Sequence, residues 1–125
     1  MKTLLVNPQS AFKGKFVSRE QGGIGVVDEH FLPSEIFLTA AYLKETGHDV
    51  HTIDLDNSQT DFSAYQVVVV WVSILHTFHK DIELLRHAKE SRCRTVMILN
   101  DAYSGFEADT LQRYPFIDAA VRLWE

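Results

Sequence analysis

Val67-Val68-Val69-Val70-Trp71-Val72 is apolar at every position. A strand with no solvent-facing side belongs at the centre of a parallel sheet, covered on both faces. Four other segments share its strand character. Thr3–Asn7 is a short apolar run closed by Asn7-Pro8, a turn signal. Asp49–Leu55 places Val50, Ile53 and Leu55 among polar residues, and Thr95–Leu99 and Ile117–Leu123 complete the set. Helical spacing fills the intervals. Ser34 is an N-cap candidate with Glu35 in the first turn, and Ile36, Leu38, Ala40, Ala41 and Leu43 follow up to Gly47 as the C-cap, so Ser34–Thr46 is a predicted helix. Thr77–Ser91 is a second, with Ile82, Leu84, Leu85 and Ala88 as its stripe, and Phe106–Tyr114 a short third. Asp56–Tyr65 is polar and holds at most one helical turn.

Strands alternating with helices predict right-handed crossovers and an α/β three-layer sandwich. Five strands in this length suit a flavodoxin-like parallel sheet of order 2-1-3-4-5. In such sheets a ligand binds beyond the carboxyl ends of the strands, which brings the loops after Asn7, Ser73 and Asn100 into one candidate site. Gln9–Pro33 has no clear period and contains Gly14, Gly22, Gly23 and Gly25. Loops of this length in compact domains are often functional. Its few apolar anchors predict a mobile cover at the ligand edge.

Composition narrows the field. The 125 residues make one domain, residues 1–125, and 46% hydrophobic with 23% charged residues excludes a disordered tail. No apolar run reaches the roughly 18 residues of a membrane span. Met1–Pro8 has no cleavage site and reads as a strand rather than a signal peptide. A net charge of −5 argues against nucleic acid as a partner. The densest basic stretch, Arg86, His87, Lys89, Arg92 and Arg94, falls at a helix end, where cations offset the dipole. One cysteine, Cys93, expected on a helix, allows neither a disulfide framework nor a cysteine-built metal site. A reducing, cytoplasmic setting is expected.

Several ligand classes of this fold leave marks that are missing. No Gly-Lys-Ser/Thr phosphate loop occurs. Gly23-Ile24-Gly25 lies away from the first strand and is followed by Val26-Val27-Asp28, so it is no dinucleotide fingerprint. A receiver domain needs acidic residues where Asn7 and Ser73 stand, and Gln9-Ser10-Ala11-Phe12 is no flavin phosphate loop. His76 and His79 have a spacing metals accept, with His30 and Asp81 as further ligands by residue type only. His48 and His51 flank a strand and read as surface residues. Asp54 and Asp56 read as a solvated loop, and Trp71 and Phe78 as core.

Phe31-Leu32-Pro33-Ser34, then Leu38-Thr39-Ala40-Ala41-Tyr42-Leu43-Lys44-Glu45-Thr46-Gly47-His48-Asp49-Val50, then Ile53-Asp54-Leu55, form a familiar series. It resembles the N-terminal cobalamin-binding-type domain of cobalamin-dependent radical SAM enzymes, from Leu4 to about Arg122. That family has Asn-Pro after strand one, a helix ending Leu-x-x-x-Gly-His-x-Val, and a Ser-x-Leu matched here by Ser73-Ile74-Leu75. The resemblance implies a cofactor site at Asn7, Pro8, Gly23, Gly25, Ser73, Leu75, Asn100 and Asp101, with cobalamin as the ligand. It also implies a radical SAM catalytic domain in cis. S-adenosylmethionine and a [4Fe–4S] cluster would belong to that following domain, because the Cys-x-x-x-Cys-x-x-Cys motif is not in this chain. Asp28-Glu29-His30 lacks the glycine of the cobalt-ligating motif, an absence shared by radical SAM relatives. Asn100-Asp101 stands where the family often has Gly-Gly, and Leu123 stands in place of the glycine near the family's end. The alternative reading is a degenerate cobalamin-domain fold without ligand, acting as a structural or docking module.

Overall fold

The computed structural model describes residues 1–8, 16–17, 26–27, 34–54, 61–72, 78–99 and 106–122. The main sheet has strands β1 (Lys2–Asn7), β4 (Asp49–Asp54), β5 (Val67–Trp71), β6 (Arg94–Leu99) and β7 (Ala119–Arg122). Its order is β4-β1-β5-β6-β7, and every pairing is parallel. This is the flavodoxin-like 2-1-3-4-5 arrangement that the alternation of elements predicts. The crossovers are α1 (Ser34–Glu45), a single 3₁₀ turn (Phe62–Ala64), α2 (Phe78–Glu90) and α3 (Phe106–Arg113). Each helix lies within one residue of its expected ends, the ordinary scatter of a fraying terminus. The fifth strand is shorter than expected: Ile117 is buried but precedes the ladder.

The segment expected to be an unstructured loop contains a small antiparallel ladder, β2 (Phe16–Val17) with β3 (Val26–Val27). The rest of that loop, and its expected mobility, lie outside the described residues. So do Gly23, Gly25, His30, Ser73, Leu75, His76, Asn100 and Asp101.

Strand β5 has the two-sided burial its sequence demands. Val68, Val70 and Val72 join Leu4, Val6, Met97 and Leu99 beneath α2, with Phe62, Ile82, Leu85, Ala88 and Ile117. Val69 and Trp71 point the other way, into a smaller core with Leu5, Val50, Ile98 and, from α1, Ile36 and Ala40. Alternation of side chains along a strand produces this division.

Helix α1 departs from its expected stripe. Ile36 and Ala40 face the sheet, but Leu38 is 70% exposed and Ala41 is exposed as well, alongside Phe37 and Tyr42. Apolar residues circle this helix, so spacing alone did not separate its inner from its outer face.

Both α1 and α2 end in the same six-residue closure. Gly47 N–H donates to Lys44 O and His48 N–H to Leu43 O; Arg92 N–H donates to Lys89 O and Cys93 N–H to Ala88 O. Such a closure needs a left-handed residue, Gly47 at φ 92° in the first case and Arg92 at φ 66° in the second. Cys93 therefore sits in the connection to β6 rather than on the helix.

Candidate functional site

The strand order reverses at β1. Its neighbour on one side is β4, reached through α1, and on the other β5, which leads to α2. Helix α1 packs on β4 and β1, while α2 packs on β5 and β6 from the opposite face. The helices that follow β1 and β5 thus lie on opposite faces of the sheet, which makes the carboxyl ends of these two strands the topological switch point, where sheets of this kind bind their ligands.

Asn7 and Pro8 stand at that point, both buried, with Asn7 only 7% exposed. Register sets Asn7 beside Asp54 of β4, and the preceding Val6 beside Val70 of β5. Val6, Val72 and Leu99 line one face of this edge, and Trp71 and Ile98 the other, all buried. The edge is thus apolar on both faces, with the Asn7 amide as a polar group among them. Of the expected cofactor residues, Asn7 and Pro8 are brought together here; the other six lie outside the described residues.

Asp81 adds a carboxylate at the same edge. It lies in the first turn of α2, the helix that β5 feeds, and is fully buried. A negative charge there meets the positive end of the helix dipole. The sequence marks Asp81 as a candidate ligand by residue type alone, and its full burial is a finding of the structure. The signal was present: Asp81 shares the helical period of Ile82, Leu85 and Ala88, the buried stripe of α2. His79, two residues away, is exposed and packs its ring edge-on against Phe78. Among the described residues no group of three or more His, Cys, Asp or Glu side chains is placed to hold a metal ion.

The opposite, amino edge carries polar contacts that brace the fold. Lys89 Nζ donates to both oxygens of Asp118 at 2.8 and 2.9 Å, and Thr95 N–H donates to Asp118 Oδ2 at 2.9 Å. The fully buried Thr95 hydroxyl donates to Phe116 O at 2.6 Å and accepts from Asp118 N–H at 3.2 Å. Partial burial pushes the Asp118 carboxyl upward, but the bond from Lys89, the Thr95 donors and the Lys89 charge outweigh it and hold it below the ordinary range. Near the 3₁₀ turn, the Cys93 thiol is shared between Phe62 O at 3.0 Å and Tyr65 O at 3.2 Å. Burial, then the Asp61 charge, pushes this thiol up, so it is a packing group rather than a nucleophile. Asp61 itself is lowered by the hydroxyl and N–H of Ser63, which it caps.

His51 lies on this side too, exposed, 3.3 Å from Asp49 and edge-on to Tyr65, and the half-buried His48 contacts the terminal amine at 3.4 Å. No family model, curated protein or solved structure matches the chain. No helix among the described residues is long and apolar enough to cross a membrane.

Proposed function

We propose that the chain is the cobalamin-binding-type domain of a radical SAM enzyme, holding the corrin at the carboxyl edge of the sheet and presenting it to a catalytic domain in cis. The observation that carries this reading is a coincidence of motif and place. Asn7-Pro8 closes β1 at the switch point, and Gly47-His48, at the opposite end of the sheet, closes α1 and feeds β4, the neighbour of β1. These are two of the segments through which the resemblance runs, on a sheet of the order it implies.

Val6, Val72, Leu99, Trp71 and Ile98 are core residues packed at the carboxyl ends of the strands, and they give the proposed site a firm floor with Asn7 as a polar group beside it. Ser73 and Leu75 would meet the nucleotide tail, and Asn7, Pro8, Gly23 and Gly25 would flank the corrin. Bound cobalamin would supply the cobalt centre, while S-adenosylmethionine and the [4Fe–4S] cluster would belong to the catalytic domain.

The second reading is a docking module that kept the fold and lost the ligand. Asn100-Asp101 favours it, since two side chains replace glycines where the tail would pass. Incubation with hydroxocobalamin followed by desalting separates the two. A retained red chromophore with a shifted visible spectrum is expected; a colourless protein after desalting assigns the docking module instead.

A further inference from the structure

We draw no further inference here: the strongest candidate, the apolar outer face of α1 formed by the exposed Phe37, Leu38, Ala41 and Tyr42, carries none because nothing in the structure shows what covers it.

Discussion

Gly47 and Arg92 hold the same backbone position at the ends of two helices, and they differ in how well their side chains tolerate it. A left-handed conformation costs a residue with a Cβ about 1–2 kcal/mol, and glycine nearly nothing. An added Cβ at Gly47 would meet nothing within 4 Å, so the strain of a substitution there is purely conformational. Gly47→Ala should therefore lower stability by about 1 kcal/mol. Arg92→Gly relieves the same strain but loosens the unfolded chain, so a gain of a few tenths to about 1 kcal/mol is expected. Urea unfolding of both variants checks the pair, and opposite shifts of the midpoint are required. The sequence marks the first closure with a glycine and conceals the second behind an arginine. The position is imposed on Arg92 by how α2 must turn into β6.

Between elements, Asp118 is the joint. Its carboxylate fastens α2 through Lys89 and β6 through Thr95 at the start of β7. The sign of its pH effect follows from the lowered folded-state value. The unfolded carboxyl titrates near about 3.9. The stabilisation is therefore fully present above that value and is lost as the pH falls below it, through the folded-state value. Both partners are partly exposed, Lys89 at 40% and Asp118 at 37%, so water screens the pair. Asp118→Asn should cost roughly 1 kcal/mol at neutral pH, below the usual range for bonds to a charged group. The cost should shrink on acidification below about pH 4. Urea midpoints for wild type and variant across this range should converge at low pH; a constant gap would mean that the charge is not the stabilising feature.

In the whole molecule, stability is concentrated at the centre of the sheet. Strands β1 and β5 are paired on both sides and buried on both faces, while β4 and β7 are edges with exposed residues. Amides of β1 and β5 should exchange only through global unfolding, and those of β4 and β7 through smaller local openings as well. Hydrogen exchange read strand by strand checks this. Equal protection of β7 and β5 would mean that the edge is covered in solution.

The sequence by itself determined the order and kind of the major elements, because each rests on a local period: the unbroken Val67–Val72 run, the spacing of Ile82, Leu85 and Ala88, and Gly47 after α1. It also determined the sheet order, because right-handed crossovers leave few alternatives for five parallel strands. Of the candidate site, Asn7-Pro8 was legible as a strand end. Which faces those elements turn inward was decided only by the tertiary structure. Leu38 is as apolar as Leu43 in sequence, yet only the placement of α1 on β4 and β1 sends it outward. Asp81 is acidic, yet packing of α2 on β5 and β6 buries it. Thr95 and Asp118 meet because β6 and β7 pair in parallel, a contact between residues far apart in the chain that no local period encodes.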